Sequence, residues 1–367
     1  MGASQKKSAV GIFQRPTDPA IRIETTNIVK KVVVAQYGDP QRYVRCIEAP
    51  DIAHPGEDEV LFDVLAFPIN PADISFCWGR YRLKPELPAV PGAECIGQVV
   101  AVGTSVRHIS IGDLVINLDR ENWTQRRLVK ASRVIVVPKE IDVAQAAMMR
   151  INPPTAHLLL SDVVKLGRGD WIIQNAANSA VGRMIIAFAK ERGINTVNVV
   201  RRDEAREQLL GLGVDVCLTD SEDLASSVKV LTNNASIVLG IDAVAGSATN
   251  RIASCVADGG VVCTYGSVSR ESIVLSPSHV VYRGLTFTGF LLGRFLDKKR
   301  EDEVAAIYQE IFQRVTQGLR VDIERVYPIE NIVEALAHAD RARDGGKILV
   351  APHGPDRLNL AGATSAA

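Results

Sequence analysis

The pattern of apolar and polar positions changes near residue 150. Before it, short apolar runs alternate with turn residues, and prolines and glycines lie between the runs. These runs are IVKKVVVAQYG at 28–38, EVLFDVLAFPINP at 59–71, CIGQVVAVG at 95–103, GDLVINL at 112–118 and RLVKASRVIVVP at 127–138. Proline lacks the N–H that a β ladder needs and glycine tolerates positive φ, so this punctuation predicts turns between strands. Residues 28–150 are therefore predicted to form a compact β domain.

After residue 150, segments with helical periodicity alternate with short apolar runs. The helical segments are 151–164, 179–193, 204–213, 224–232 and 248–257, and the apolar runs are 171–176, 196–202, 214–219, 235–244 and 259–266. This alternation is typical of βαβ units. It predicts an α/β fold in which helices cover a doubly wound parallel sheet over residues 151–299.

A mixed segment closes the chain. Strand patterns occur at 285–292, 325–329 and 347–352, and helix patterns at Glu303 to Gln317 and Ile332 to Arg343. We expect residues 300–352 to rejoin the β domain. The polar residues 1–27 favour an N-terminal extension over a remnant of organelle targeting, and 353–367 are expected to form an unpacked tail.

The charge balance and hydropathy exclude several classes of protein. Lys plus Arg and Asp plus Glu number 42 each, which gives a formal net charge of zero. A nucleic-acid partner is not expected, because such affinity depends on clustered basic residues. No apolar run reaches the roughly 20 residues of a membrane helix, and Met1 to Asn27 lacks the pattern of a secretory signal. We expect a soluble protein without a membrane partner, cytoplasmic or, as the alternative, in the mitochondrial matrix.

The cysteines give no sign of a disulfide framework or a metal site. The chain has six, scattered singly, and none forms the short Cys-x-x-Cys spacing that places two thiolates on one ion. We interpret them as small apolar side chains in a reducing compartment, and expect no zinc.

The most specific local feature is WIIQNAANSAVGRMIIAFAK at 171–190, an apolar strand pattern followed by small residues and an amphipathic helix. Small side chains let backbone N–H groups and the positive end of a helix approach a pyrophosphate. The predicted contacts are Asn178, Ser179, Ala180, Val181 and Gly182. Only Gly182 of the three-glycine dinucleotide fingerprint is present, so an ordinary strand-to-helix turn remains the alternative.

Two arginines follow the second strand of this unit. NAD-binding sheets place an Asp or Glu there, against the ribose 2′-hydroxyl, whereas this chain has Arg201 and Arg202. A guanidinium can donate two hydrogen bonds to a 2′-phosphate, so these residues favour NADPH over NADH. The alternative is a pair of solvated loop arginines, and Asp203 comes one position later.

Several motifs together resemble the medium-chain dehydrogenase/reductase superfamily, in its zinc-free branch, and most closely the mitochondrial-type trans-2-enoyl-CoA/ACP reductases. They are INPADI at 69–74, GRYRLKPELPAVPGAE at 79–94, INPPTA at 151–156, QNAANSAVG at 174–182 and NVVRRD at 198–203. The resemblance covers about Ile28 to Pro352. It implies a GroES-like catalytic domain over 28–150 and 300–352 and a Rossmann NADPH domain over 151–299. It also implies NADPH-dependent reduction of a 2-enoyl thioester, carried by CoA or acyl-carrier protein, in fatty acid metabolism.

The resemblance also assigns residues. It makes Tyr81 the catalytic residue, and Trp78 and Leu291 part of the acyl pocket. The alternatives are that Tyr81 lines this pocket together with Trp78, or that it is only a half-buried aromatic residue of the loop. Other positions that match cofactor contacts of the family are Asn70, Thr155, Tyr265, Phe290, Leu292 and Lys347. Zinc-dependent members carry a Cys and a Gly-His-Glu where this chain has Pro71-Ala72-Asp73 and Ala93, so the metal-free branch is expected. A tyrosine fits the catalytic role, because a phenol has a pKa near 10 and so carries a proton that it can donate at neutral pH.

Two other functions remain open at this point. One keeps the fold and the cofactor but reduces a quinone, an enone or an acrylate; the other binds NADPH without turnover. The family's usual homodimer is expected through the sheet edge at 285–292. The basic run Lys298 to Arg300 fits either a CoA phosphate or carrier-protein contact, or a solvated surface.

Overall fold

The computed structural model describes residues 28–52, 54–211, 213–341 and 346–358. The predicted extension over 1–27 and residues 359–367 of the predicted tail lie outside these ranges. So do the last two residues, 342 and 343, of the helix predicted to end at Arg343.

The first part of the chain is rich in short strands. Its elements in chain order are β1 Ile28–Val34, α1 Pro40–Tyr43, β2 Val44–Pro50, β3 Glu59–Pro68, α2 Pro71–Cys77, β4 Ile96–Val102, β5 Leu114–Asn117, β6 Arg126–Lys130, β7 Val134–Val137 and α3 Val143–Ala146. β1 and β2 form an antiparallel pair. The other strands build a sheet in which β3 is central, because it pairs with β4 on one edge and with β6 on the other.

The middle part alternates helices and strands. Its elements are α4 Asn152–Ser161, β8 Trp171–Gln174, α5 Ala180–Arg192, β9 Asn195–Val200, α6 Asp203–Leu210, β10 Val216–Thr219, α7 Leu224–Leu231, β11 Ile237–Asp242, α8 Ser247–Cys255, β12 Val261–Thr264, α9 Pro277–Val281, β13 Thr286–Gly289 and α10 Leu292–Leu296. The six strands run parallel in the order β10-β9-β8-β11-β12-β13. This is the doubly wound order, so the predicted fold class is confirmed.

The closing part returns to the first sheet. Its elements are α11 Glu301–Thr316, β14 Ile323–Pro328, α12 Ile332–Arg341 and β15 Lys347–Ala351. The sheet order is β14-β15-β3-β4-β5-β7. The Tyr308 hydroxyl of α11 donates to the carbonyl of Arg150 at 2.9 Å, at the point where the chain passes from one sheet to the other.

Helix α5 shows why the sequence folds as it does at the parallel sheet. Ser179 caps its start, and Gly193, with φ of +68°, ends it in the left-handed conformation that glycine adopts without strain. Its buried face includes Ile185 and Phe188, which belong to the core between α4, α5 and the sheet. The helix is therefore fixed with its N-terminus at the carboxyl edge of β8.

Two predictions differ from the structure. Residues 353–358 of the tail predicted to be unpacked lie against the fold, because Pro355–Leu358 form a short 3-10 helix and Leu358 is buried in the core around α4 and α5. The second difference concerns a strand. The strand predicted over 285–292 ends at Gly289, and Leu292 begins the short helix α10. The N–H of Phe290 makes the last bond of the ladder, to the Thr264 carbonyl at 2.9 Å, and its ring is buried against Phe295, with ring centres 4.4 Å apart.

Candidate active site

The turn between β8 and α5 brings backbone groups together at a helix start. The Ser179 hydroxyl accepts the N–H of Gly182 at 3.1 Å. A Cβ on Gly182 would lie 2.6 Å from the carbonyl oxygen of Ala177 and 2.7 Å from that of Ala176, so only glycine fits this approach. Ala176 itself has φ of +48°. The turn thus leaves the first N–H groups of a thirteen-residue helix facing an approaching anion.

A buried polar network joins this turn to the carboxyl ends of the neighbouring strands. Gln174 donates to the carbonyl of Gly182 at 3.0 Å and to Asn198 at 2.8 Å. The side chain of Asn175 donates to Asp242 at 2.6 Å and accepts the N–H of Ala243 at 2.7 Å. These bonds tie together the carboxyl ends of three neighbouring strands.

Tyr265 closes one side of the turn. It follows β12, and its N–H donates to the carbonyl of Asp242 at 2.9 Å. Its hydroxyl lies within hydrogen-bonding reach of the Ser179 side chain, while burial raises the pKa of Tyr265 above its ordinary value. The structure therefore brings the predicted residues Ser179 and Tyr265 together.

Arg201 and Arg202 lie directly after β9, and both are exposed. Asp203 opens α6 and accepts the Thr219 hydroxyl at 2.5 Å. The carboxylate of Asp203 is therefore already hydrogen-bonded to a neutral hydroxyl at the end of β10. This supports arginine, rather than Asp203, as the residue that recognises the 2′ position.

Three of the predicted cofactor contacts, Asn70, Thr155 and Lys347, lie at the junction of the two sheets. The ammonium of Lys347 donates to Oδ1 of Asn70 at 2.6 Å, and Nδ2 of Asn70 donates to Glu94 at 2.7 Å. The other carboxylate oxygen of Glu94 accepts the N–H of Ile151 at 3.0 Å. Thr155, also buried, donates its N–H to the Ile151 carbonyl at 3.1 Å in the first turn of α4.

Burial shifts both ionisable groups of this cluster. It raises the pKa of Glu94 to about 7, against the lowering effect of Lys347 and of the Asn70 hydrogen bond. It lowers the pKa of Lys347, against the raising effect of the Glu94 and Asp73 carboxylates. Strongly shifted groups that face one another at a junction are typical of functional sites.

Tyr81 and Trp78 lie in the loop after α2, and both are half-buried against the core of the first sheet. The guanidinium of Arg120 lies 5.0 Å from the centre of the Tyr81 ring. The guanidinium of Arg80 lies 4.9 Å from the centre of the Trp78 ring. Cations over aromatic faces stabilise such rings, so the loop presents two fixed aromatic side chains.

Comparisons with known proteins agree with this architecture. Residues 56–137 match the alcohol dehydrogenase GroES-like domain, and residues 180–310 match the zinc-binding dehydrogenase family. The chain is 35% identical over 355 residues to the mitochondrial enoyl-[acyl-carrier-protein] reductase of Arabidopsis thaliana, covering 92% of this chain and 94% of that protein. The rat protein of the same name is 34% identical and covers 79% of each chain. The chain belongs to the medium-chain dehydrogenase/reductase superfamily, with the mitochondrial-type enoyl reductases.

Two solved structures of this superfamily share the whole fold. A Bacillus thuringiensis protein assigned to the NADPH:quinone reductases superposes with a TM-score of 0.83 at 25% identity, covering 89% of this chain and 99% of that one. Etr1p of Candida tropicalis, in complex with NADP and crotonyl-CoA, superposes with a TM-score of 0.79 at 25% identity, covering 89% and 100%. The predicted resemblance is confirmed.

The remaining predicted positions lie apart from the Tyr81 loop. Phe290 is buried behind β13, and Leu291 and Leu292 are half-buried at the start of α10. Trp78 packs on the core of the first sheet, whereas Leu292 packs on the core around α4 and α5. An acyl pocket built from Trp78 and Leu291 would therefore have to span both units.

The basic run after α10 is occupied at the surface. Lys299 pairs with Asp162 at 2.7 Å, and Arg300 pairs with Asp302 at 3.0 Å while its N–H is capped by Glu303. Lys298 lies 5.4 Å from the Phe295 ring. These contacts favour a solvated surface over a phosphate site.

Two further observations concern metals and membranes. Within residues 28–52, 54–211, 213–341 and 346–358, no group of three or more His, Cys, Asp or Glu side chains is placed to hold a metal ion. In the same part of the chain, no helix is both long and apolar enough to cross a bilayer.

Sequence reasoning missed Glu94, Asp73 and Arg120. Glu94 and Asp73 are fully buried, and Arg120 Nη2 lies 3.6 Å from Asp73 Oδ1. The available signal was a carboxylate inside the apolar run PGAECIG, because an unpaired charge is rarely buried. Its partners were not predictable, since they come from distant segments.

Proposed function

We propose that this protein is an NADPH-dependent reductase of the C=C bond of trans-2-enoyl thioesters. The observation that carries the proposal is the 35% identity to a named enoyl-[acyl-carrier-protein] reductase over 92% of the chain. This match spans both the loop that carries Tyr81 and the turn between β8 and α5, here called the phosphate turn. The fit to the Etr1p complex with NADP and crotonyl-CoA supports the same substrate class and cofactor.

The residues fit the cofactor, and different residues bind its different parts. The N–H groups between Ser179 and Gly182 bind the pyrophosphate at the positive end of α5, and Gly182 lets this helix start pack closely on the turn before it. Arg201 and Arg202 bind the 2′-phosphate. Asn70, Thr155 and Lys347 hold the nicotinamide end at the junction of the two sheets.

When bound, NADPH supplies a hydride for Cβ of the enoyl thioester. The Tyr81 hydroxyl donates its proton to the thioester oxygen, where negative charge develops, or to Cα. Arg120 holds the ring that carries this hydroxyl. The half-buried Trp78 borders the same space and excludes water from it.

We propose that this chemistry is zinc-independent. Ala93 and Pro71 to Asp73 stand where zinc-dependent relatives carry ligands. Support comes from the surroundings of Glu94, whose oxygens accept hydrogen bonds from Asn70 and Ile151 rather than facing a cluster of ligands. Dialysis against a chelator is expected to leave turnover unchanged.

A quinone acceptor is the second candidate. It is favoured by the TM-score of 0.83 to the Bacillus thuringiensis protein assigned to the NADPH:quinone reductases. Initial rates of NADPH oxidation separate the two: we expect turnover with crotonyl-CoA and longer trans-2-enoyl-CoAs, much less with NADH, and little with a quinone. Turnover with a quinone alone would establish the second candidate. Tight NADPH binding without any turnover would establish a non-catalytic cofactor-binding protein.

We further propose a homodimer that forms at the β13 edge of the parallel sheet. β13 is an edge strand, and the chain segment between β12 and β13 carries exposed apolar side chains. They are Val268, Ile273, Val274, Val280, Val281 and Tyr282. A strand edge flanked by apolar surface is a typical pairing site. Sedimentation of the wild type is expected to give twice the chain mass, and Val281→Glu is expected to give one chain mass.

The mitochondrial names of the relatives favour the matrix over the cytoplasm as the compartment, and both CoA and acyl-carrier protein remain candidate carriers of the substrate. Fractionation of cells that express the full chain tests the compartment. Rates with enoyl-CoA and with enoyl-acyl-carrier protein at equal acyl length test the carrier.

A further inference from the structure

A directional chain of hydrogen bonds crosses the junction of the two sheets. It runs from the ammonium of Lys347 to Oδ1 of Asn70, from Nδ2 of Asn70 to one oxygen of Glu94, and from the N–H of Ile151 to the other oxygen of Glu94. Its members come from β15, the cap of α2, the segment before β4 and the start of α4. Glu94 is fully buried, and Asn70 is 4% exposed.

The direction of every bond is fixed by the two ends. An ammonium and a backbone N–H only donate, so both oxygens of Glu94 accept. Asn70 then has one orientation: a flipped amide would point its NH₂ at the Lys347 ammonium and its oxygen at the Glu94 carboxylate. In the observed orientation Asn70 keeps one N–H for another partner.

The same carboxylate also fixes the start of α4. Ile151, which donates to Glu94, precedes the first turn of α4 and accepts the N–H of Thr155. Next to it, Asn152 has a buried side-chain NH₂ with no hydrogen-bond partner among the described residues. Native structures rarely leave buried donors unpaired, so this turn has capacity for a further polar group.

We propose that Glu94 is a positioning residue that sets the amide orientation of Asn70 and ties it to the first turn of α4, so that Asn70 and Thr155 meet the nicotinamide end of the cofactor in one geometry. The proposal rests on the proposed function for the identity of that cofactor. Glu94 acts through Asn70 and does not touch the cofactor itself.

A double-mutant cycle tests whether Glu94 acts through Asn70. A glutamine at position 94 must turn an NH₂ towards Asn70 or Ile151, so Glu94→Gln is expected to lower kcat about 10-fold while the Kd for NADPH changes by less than about 3-fold. In an Asn70→Ala background the same change is expected to lower kcat less than about 2-fold further. An equal loss in both backgrounds, or an unchanged kcat in the single variant, overturns the proposal. Glu48→Gln, at an exposed position on β2, is the matched control.

A charge swap tests the direction of the bonds without any turnover. Asn70→Asp sets two carboxylates against each other and is expected to lower the Tm. Adding Glu94→Gln to it restores a donor between them, because the new amide donates to the new carboxylate and accepts from Ile151. Recovery of the Tm supports the proposal, and a further fall overturns it.

A third measurement covers the case in which Glu94→Gln does not fold. Glu94→Asp keeps the carboxylate charge but shortens the side chain by one methylene, so it no longer accepts from Asn70 and Ile151 together and is expected to broaden the fluorescence of bound NADPH relative to the wild type. An unchanged spectrum overturns the proposal. If the wild type fails to reduce enoyl thioesters, the proposed function fails, whereas the Tm and fluorescence results still decide the role of Glu94.

Discussion

The guanidinium of Arg120 lies 5.0 Å from the centre of the Tyr81 ring and 3.6 Å from the buried carboxylate of Asp73. Asp73 in turn accepts the backbone N–H of Asn70 at the start of α2. One arginine therefore connects the loop that carries Tyr81 with the helix cap that carries Asn70. The proposed proton donor, Tyr81, and the proposed cofactor contact, Asn70, are therefore linked through Arg120 and Asp73.

Replacing Tyr81 by phenylalanine keeps the ring over Arg120 and removes only the hydroxyl. General acid assistance contributes typically 10²–10⁴-fold, so kcat is expected to fall by about that factor while the Kd for NADPH stays the same. Steady-state rates with crotonyl-CoA and fluorescence titration with NADPH measure the two quantities. Tyr43→Phe, on α1, is the control, and an unchanged kcat in Tyr81→Phe would remove Tyr81 from the mechanism.

Arg201→Ala is expected to change cofactor preference. A charge-assisted hydrogen bond contributes about 1.5–3 kcal/mol, so NADPH binding is expected to weaken about 10- to 100-fold, with NADH almost unaffected. Dissociation constants for both cofactors check this, with Arg107→Ala as an exposed arginine control. Equal losses for the two cofactors would contradict a 2′-phosphate role.

Gly182→Ala tests the phosphate turn. The new Cβ would lie 2.6 Å from the carbonyl oxygen of Ala177, and backbone atoms cannot yield cheaply there. Overpacking of this kind costs about 1–3 kcal/mol, so both the free energy of unfolding and NADPH affinity are expected to fall. Gly167→Ala is the control, because its nearest neighbour would be a side-chain oxygen 3.8 Å away. Full NADPH affinity in Gly182→Ala would show that the turn is not the cofactor site.

Glu94 is expected to give the unfolding free energy a specific pH dependence. Burial raises its pKa from 4.5 to about 7 in the folded protein, where Asp73 also raises it and Lys347 and Arg150 lower it. Between these values the folded state binds more protons than the unfolded state, so this contribution is fully present below pH 4.5 and is lost as the pH rises through 7. Denaturant unfolding between about pH 5 and 8 should show a stability difference between wild type and Glu94→Gln that shrinks with pH. A constant difference would mean that Glu94 does not titrate there.

The turn between β8 and α5 and the parallel sheet could be predicted because their signals are local. Small residues from Ala176 to Gly182 follow an apolar run and precede a helical period, and this order is sufficient for a strand, a turn and a helix start. Arg201 was predictable for the same reason, since its place is set by the end of the next strand.

The Glu94 cluster was not predictable, because its contacts join distant positions. Asn70 and Glu94 are 24 residues apart, and Asn70 and Lys347 are 277 apart. No local period indicates such pairs. The end of β13 at Gly289 was missed for a related reason. The Phe290 ring packs against Phe295, and in the sequence an apolar residue at this place looks like a continuation of the strand.

Hydride transfer to Cβ of an enoyl thioester is tested by following the hydride itself. NADPH that carries deuterium at the transferable position of the nicotinamide is incubated with crotonyl-CoA, and the product is analysed by NMR and mass spectrometry. One deuterium on Cβ and none on Cα of the butyryl product is the predicted result. Unlabelled product, label on Cα, or no product while a quinone is reduced would contradict the account.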